Sequence, residues 1–446
     1  MFNPHTATDR QFMLEAIGVK SIEDLFEDVP KKHRFPKLDL PPQQTEMQAW
    51  QELQEYSGRN NTSSHMPSFL GAGAYRHYTP AAVDAVLRRG EFYTAYTPYQ
   101  PEISQGTLQV IFEFQSHIVN LTGMDVATAS HYDGATAAAE VVNMSQIIYR
   151  NKRPRVILSP ALHPHYRHTI HTYFAHSGIE LVGEDLDPVL DPIELTKLVD
   201  EHTGLVLVQY PDFFGRVFDL QALSDKVHQA GALLGVAVNP LALGMYKPPG
   251  DFGADIVCGE GQSLGLPLSY GGPYLGLLAA KQEYVRSLAG RLVGETVDAD
   301  GKRGYVLTLS TREQHIKRER ASSNICTNQG LMALAATVYL TLAGKQGMRQ
   351  VAELCYHKAH YAAKEITELK GYELYYQQPF FNEFVVSCPK RAFEVNQKLL
   401  EAGIIGGYEL GREYPGMDDC LMIAVTEMNS KKQIDQLVSA LKEAGE

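Results

Sequence analysis

From about residue 106 the chain alternates helical apolar stripes with short, almost wholly apolar runs, and this alternation restricts the fold more than any other feature. Gly106 to Thr122 carries apolar side chains at 108, 111, 112, 118, 119 and 121, which share one helical face, and Gly123 supplies the stop. Asp133 is placed to cap a helix from Gly134 to Arg150. Strands are expected at Arg155–Leu158, Ile179–Val182, Leu205–Gln209, Ala232–Val238 and Ala254–Cys258. Between the third and fourth, Asp219 can cap a helix whose Leu220, Leu223, Val227 and Ala230 share a face, and Gly231 ends it. Apolar strands separated by helices predict an α/β fold with a mostly parallel sheet covered on both faces.

A long helical run from Gly330 to Leu369, interrupted near Gly344, leaves this region. The tail then reads strand (Tyr372–Tyr376), strand (Glu383–Ser387), helix (Ala392–Ala402), strand (Cys420–Thr426) and helix (Lys431–Glu443), a small α+β domain. Before residue 60 the pattern is helices broken by loops: Gln11–Ile17, Ser21–Phe26 and Gln43–Tyr56, with Leu38–Pro42 a stiff connector. Ser21 and Asp24 have capping-box spacing. The expected division is a helical segment over 1–60, a large α/β domain over 61–345 and a small domain over 346–446.

The net charge of -12 argues against a nucleic-acid binder, because phosphate backbones are held by clustered Lys and Arg. Lys31-Lys32-His33-Arg34 follows Pro30 and reads as a solvated loop. Cys258, Cys326, Cys355, Cys388 and Cys420 include no CxxC pair, so zinc and thiol redox chemistry lack local support and a reducing compartment fits. No run is long and apolar enough for a membrane span or a secretory leader, and a cytoplasmic protein is expected.

Several segments could carry chemistry. Gly71-Ala72-Gly73-Ala74-Tyr75-Arg76 begins like a dinucleotide loop but lacks the third glycine and a preceding strand, so it reads as a loop of close backbone approach. His163, His165, His168 and His171 are dense, yet no nearby carboxylate joins them, and ordinary loop and helix roles are favoured over a metal site. Tyr96 to Gly106 holds two prolines among tyrosines, amides and a carboxylate, which makes it either a shaped functional loop or a capped connector. His131 to Glu140 places small residues at a helix start, where free N–H groups suit a phosphate and small side chains equally suit close packing.

Taken together, these segments resemble the glycine cleavage system P-protein family, and specifically the first of the two homologous subunits into which some organisms split it. The likeness runs end to end through Met13-Leu14, Leu25-Phe26, Leu70–Gly73 with Tyr75, the Tyr96–Gly106 loop and His131–Glu140. It continues through Ser159–Pro164, Gln209–Asp212 and Ala321–Gln329. The resemblance implies the pyridoxal phosphate (PLP)-dependent fold type I, with a seven-stranded sheet in the large domain.

Two departures bear on the role. Such enzymes need a lysine after a late strand to bond the cofactor covalently. Here Ala254–Cys258 is followed by Gly259-Glu260-Gly261-Gln262, and an amide is not a nucleophile. An acid expected at the end of an earlier strand is also missing, since Ala232–Val238 runs into Asn239-Pro240. Lys247 and Lys281 fall too early and too late to substitute. The expectation is therefore no covalent cofactor on this chain, with Gly134, Ala135, Thr136, His163, Asn239 and Gln262 as vestiges of a PLP site.

The resemblance implies that a homologous partner subunit bears PLP and decarboxylates glycine. The aminomethyl group then passes to the lipoyl group of H-protein, in an α2β2 assembly. Tyr96, Tyr99, Gln100, Glu102, Ser104 and Gln105 are the residues this chain is expected to lend to that site, with Asn324 from the second specific segment. No metal is expected. The alternatives are a self-sufficient PLP enzyme such as an aminotransferase, and a non-catalytic subunit that stabilises a homologous enzyme.

Overall fold

The computed structural model describes residues 4–63, 65–98, 100–321, 323–325 and 329–446. The chain forms two compact units, Met1–Asn61 and Thr62–Glu446.

The first unit holds the helices Ala7–Ile17 and Glu46–Gly58, with 3-10 turns at Ile22–Phe26 and Lys31–His33. Thr6 caps the first helix by accepting from Asp9 N, and Asp24 accepts from Ser21 N at 2.9 Å, the contact the capping-box spacing implied. Lys31 to His33 is exposed as expected, though wound into a turn. None of the described residues in this unit is buried.

The second unit is built on a seven-stranded sheet. Its strands are β1 (Val126–Ala127), β2 (Arg155–Leu158), β3 (Glu180–Val182), β4 (Thr203–Tyr210), β5 (Leu233–Val238), β6 (Ile256–Glu260) and β7 (Gly276–Ala280). They lie in the order β1-β7-β6-β5-β4-β2-β3. The pairs from β3 across to β6 are parallel, and β7 runs antiparallel to both β6 and β1. Strand alternation sends Val206, Val208, Leu234 and Val236 to one face, against Phe114 and Tyr339. Leu205, Leu207, Leu233 and Ala237 go to the other face, where they meet Ala137, Val141 and Met144 of the helix Gly134–Tyr149. Each large apolar side chain so buried contributes about 1.5–3 kcal/mol.

β6 begins at Ile256, two residues later than the apolar run suggested, because Asp255 is taken up by side-chain bonding. Its carboxylate accepts from Leu234 N (2.8 Å), His228 Nε2 (2.8 Å) and Lys281 Nζ (2.5 Å). Asp219 accepts from Gln221 N at 2.9 Å, but Leu220 stands at the cap position of the helix Gln221–Gln229. A hairpin of β8 (Leu292–Val297) and β9 (Arg303–Thr308) was not anticipated. Its outer half is exposed and polar, so apolar alternation does not announce it.

The long helix Gly330–Thr367 breaks its geometry at Gly344 (φ 56°, ψ -177°), where the sequence placed an interruption. Ala333, Ala336 and Tyr339 before the break pack into the sheet core, and Ala359, Ala362 and Ile366 after it pack into a second core. That second core lies under a four-stranded antiparallel sheet of β10 (Glu373–Leu374), β11 (Glu383–Ser387), β12 (Tyr408–Glu409) and β13 (Cys420–Ala424), in the order β10-β11-β13-β12. Among the described residues no helix is long and apolar enough to cross a membrane.

Arg216, after β4, is the largest fully buried side chain among the described residues. Its Nη2 lies 2.6 Å from Asp212 Oδ2, and Nη1 donates to Val189 O at 2.6 Å. A buried guanidinium stripped of its counter-charge is strongly unfavourable. Asp212→Ala and Arg216→Met are therefore each expected to lower the unfolding free energy by about 3–5 kcal/mol, read from urea unfolding midpoints. A change below about 0.5 kcal/mol would be that of an ordinary surface site and would refute the structural role of the pair.

Candidate functional site

In an open sheet of this kind ligands bind beyond the carboxyl ends of the parallel strands. Here that position lies where β5 and β6 end, beside the start of the helix Gly134–Tyr149. The sequence placed a phosphate or a tight packing contact there, and the structure shows the N–H groups in use. Asp133 caps the helix by accepting from Thr136 N at 2.8 Å. Gly134 N donates to Glu260 Oε2 at 2.9 Å, from the last residue of β6. Glu260 Oε1 accepts from Gln262 N and Leu275 N, both at 3.0 Å. Ala135 lies between these two bonded residues in the first helical turn.

Gln262 is buried and wholly committed. Its Oε1 accepts from Tyr75 N at 2.8 Å, and its Nε2 donates to Tyr75 O at 2.9 Å and to Leu266 O at 2.8 Å. A carboxamide can satisfy both backbone groups of one residue, which neither an ammonium nor a carboxylate can do. Tyr75 Oη then donates to Glu383 Oε2 at 2.6 Å, and Ala72 N donates to Glu383 Oε1 at 2.7 Å. A Cβ at Gly71 would stand 2.3 Å from Glu383 Oε1, so the close backbone approach expected of this loop is real.

His163 faces the same loop. Its Nδ1 accepts from His165 N at 3.1 Å, so the proton sits on Nε2, which donates to Ala72 O at 2.9 Å. Tyr166 stacks on the ring at 5.1 Å and Phe213 meets its edge at 5.0 Å. Burial pushes its pKa down to about 4, and the ring is neutral at pH 7. Asn239 closes a local turn, accepting from Leu241 N at 3.1 Å.

These residues do not fit PLP. Two carboxyl groups already occupy the helix start, the nucleophile is replaced by a bonded amide, and His163 packs on protein. The displaced lysines offer no substitute. Lys281 is held by Asp255 and by Gly253 O at 3.0 Å, next to the opposite end of β6, and Lys247 lies over the Phe252 ring at 4.2 Å.

The second group of candidates gathers around Arg291, a residue that sequence reasoning missed. Arg291 donates to Thr97 Oγ1 and lies 3.8 Å from Glu313. Two cavities share it: one is lined also by Tyr96, Thr97 and Pro98, the other by Glu313, His315 and Asn324. Tyr96, Gln100, Glu102 and Asn324 are exposed, and Ser104 is half-buried at the start of the helix Gln105–Thr122. Gln105 instead anchors the loop. Its amide donates to Pro101 O and Tyr305 O and accepts from Tyr305 N, at 2.8–2.9 Å. Ser323 bonds the Glu140 carboxyl group, tying the second segment to the helix Gly134–Tyr149. Tyr99, Ser322 and Cys326 to Asn328 lie outside the described residues.

Glu260 and Glu383 were also missed, because Gly134, Tyr75 and Ala72, which bond them, are remote in sequence. A further convergence, of His77 Nδ1 with Glu427 Oε2 at 2.7 Å and Cys355 Sγ at 3.5 Å from the same oxygen, was invisible for the same reason. The histidines of the helix Pro164–Phe174 join no such group among the described residues, and His171 pairs with Glu184 at 2.5 Å.

The sheet order, with its single antiparallel strand beside β6, and the small antiparallel sheet define the PLP-dependent fold type I class. Sphingosine-1-phosphate lyase from Burkholderia pseudomallei shares the fold at 16% identity (TM-score 0.67, 93% of this chain and 94% of that one). The family model of the glycine cleavage system P-protein matches residues 1–441, and the chain belongs to that family. A crystal structure of glycine decarboxylase (P-protein) of the glycine cleavage system, in inhibitor-bound form, superposes with a TM-score of 0.91 at 42% identity over all of both chains. The chain is 53% identical to "Probable glycine dehydrogenase (decarboxylating) subunit 1" of Thermomicrobium roseum, covering 100% of this chain and 99% of that one. It is 49% identical to the protein of the same description from Anoxybacillus flavithermus, over 98% of each.

Burial raises the Glu383 pKa to about 7 against the bonds from Tyr75 and Ala72. An unfolded glutamate titrates near ~4.3. The folded chain thus keeps a proton that the unfolded chain has lost between those values. The contribution to stability is full below about pH 4.3 and is lost as pH rises through about 7, at about 1.4 kcal/mol per pH unit. Glu383→Gln is expected to flatten this part of the stability–pH curve, measured by urea unfolding between pH 4.5 and 8. An unchanged slope would contradict it.

Proposed function

We propose that this chain is the lysine-lacking subunit of a two-subunit glycine decarboxylase in the glycine cleavage system, inactive alone and completing the site of a homologous PLP-bearing partner. The observation that carries this reading is Gln262. The position from which a lysine would bond the cofactor holds an amide bonded on both sides to Tyr75. In the partner, PLP supplies the electron sink for loss of CO2 from glycine. The remaining aminomethyl group goes to the lipoyl arm of H-protein. A lipoylated carrier needs a wide approach, which a subunit interface provides. The assembly is proposed to be α2β2 and cytoplasmic.

This chain's own contribution is the loop from Tyr96 to Gln105. Tyr96, Tyr99, Gln100, Glu102 and Ser104 would meet glycine or the partner's cofactor, and Asn324 borders the same region across Arg291. Gln105 and Arg291 hold the loop in shape through β9 and Thr97. The break at Gly344 is proposed as the boundary between a large domain, 61–345, and a small one, 346–446.

Removing a hydrogen bond to a charged group costs about 1.5–3 kcal/mol, which is about 10–100-fold in rate. Tyr99→Phe and Glu102→Gln in the assembled complex are expected to lower kcat/KM for glycine by about that factor. Subunit association, followed by sedimentation, should be unaltered. Unchanged glycine kinetics would reject the lent loop, and weakened association at full per-site turnover would mark a purely stabilising subunit. A borohydride-trapped lysine adduct on this chain alone would establish a self-sufficient PLP enzyme instead.

A further inference from the structure

The carboxyl group of Glu260 makes an arrangement that nothing in the decarboxylase reading requires. A helix start carries about half a positive charge and free N–H groups, and it is a ready seat for a phosphate or another oxyanion. At the helix Gly134–Tyr149 that seat receives N–H groups from three separate places. Gly134 N comes from the helix, Gln262 N from the turn after β6, and Leu275 N from the approach to β7. All three end on the two oxygens of one half-buried side chain. Tyr166 crowds the same glycine: a Cβ on Gly134 would stand 2.0 Å from Tyr166 Oη and 3.0 Å from Glu260 Cβ. The tight turn beyond β6 brings Leu275 within reach, with Gly261 N donating to Leu275 O at 2.7 Å.

We infer that Glu260 is a built-in occupant of an oxyanion seat, a side-chain carboxyl standing where a phosphate group would stand and keeping that seat closed to external anions. The inference rests on the reading that this chain does not hold the cofactor, and it supplies the physical reason. Gln262 removes the covalent bond, whereas Glu260 removes the anion site. Burial raises the Glu260 pKa to about 8 while the three backbone bonds oppose the rise. Asp133, whose carboxylate caps the same helix, adds a second acidic group facing any incoming dianion.

The seat can be emptied. In Glu260→Ala three backbone N–H groups in part-buried bonds lose their acceptors and a space the size of a small oxyanion opens. The full-length variant is expected to unfold several degrees below wild type. About 10 mM inorganic phosphate should restore at least half of that loss relative to chloride of equal ionic strength. Wild type should show no shift between the two salts. A variant as stable as wild type, or phosphate shifts equal in both proteins, would overturn the inference. Should Glu260→Ala not fold, Glu260→Gln decides, since its amide keeps one acceptor oxygen and loses the other. Hydrogen exchange in peptides spanning 131–140 and 270–276 is expected to be at least tenfold faster than in wild type, and unchanged exchange would refute the seat. Wild type titrated with PLP separates the two readings. One-to-one binding by wild type overturns the cofactor-free reading, whereas no binding together with a failed phosphate rescue overturns the Glu260 seat alone.

Discussion

One side chain, the Gln262 carboxamide, joins three parts of this molecule. It pairs with both backbone groups of Tyr75 much as a neighbouring strand would, and Tyr75 in turn reaches Glu383 on β11. The turn after β6, the loop at 71–75 and the small sheet are thus locked by a run of buried hydrogen bonds. Such bonds are costly to leave unmade, so each member holds the next in place. The lock follows directly on β6, whose last residue, Glu260, accepts from Gln262 N at 3.0 Å.

The rest of the architecture carries this lock between two cores. The long helix Gly330–Thr367 contributes to both, changing direction at Gly344, where a positive φ is tolerated by glycine. The buried Asp212–Arg216 pair adds a second link, because Arg216 also bridges to Phe380 next to the small sheet. A separate region lies around Arg291, where Tyr96, Thr97 and Pro98 line one cavity and Asn324 lines the adjoining one.

Much of the fold could be read directly. The central strands β2, β4 and β5 are continuous apolar runs, and Gly123 and Gly344 mark a helix stop and a helix break where they were expected. Elements with mixed faces were harder. The β8–β9 hairpin and the two-residue strands β1 and β12 bury too few apolar side chains to leave a period. At the site, Gln262 and the Tyr96–Gln105 loop were legible as residue types in an unusual context. Arg291, Glu260 and Glu383 were not, since a charged residue in sequence is read as solvated until its neighbours are known.

The amino-acid sequence by itself determined the sheet class, the helix stop at Gly123, the helix break at Gly344 and the amide at Gln262, because these follow from side-chain chemistry and short-range periodicity. Tertiary structure alone decided what Gln262 binds, that Glu260 fills the helix start, and that Gln105 anchors its loop rather than facing outward. Those contacts join residues 187, 126 and 200 positions apart. Nothing local encodes such pairings; they exist only once the packed sheet has brought the segments together.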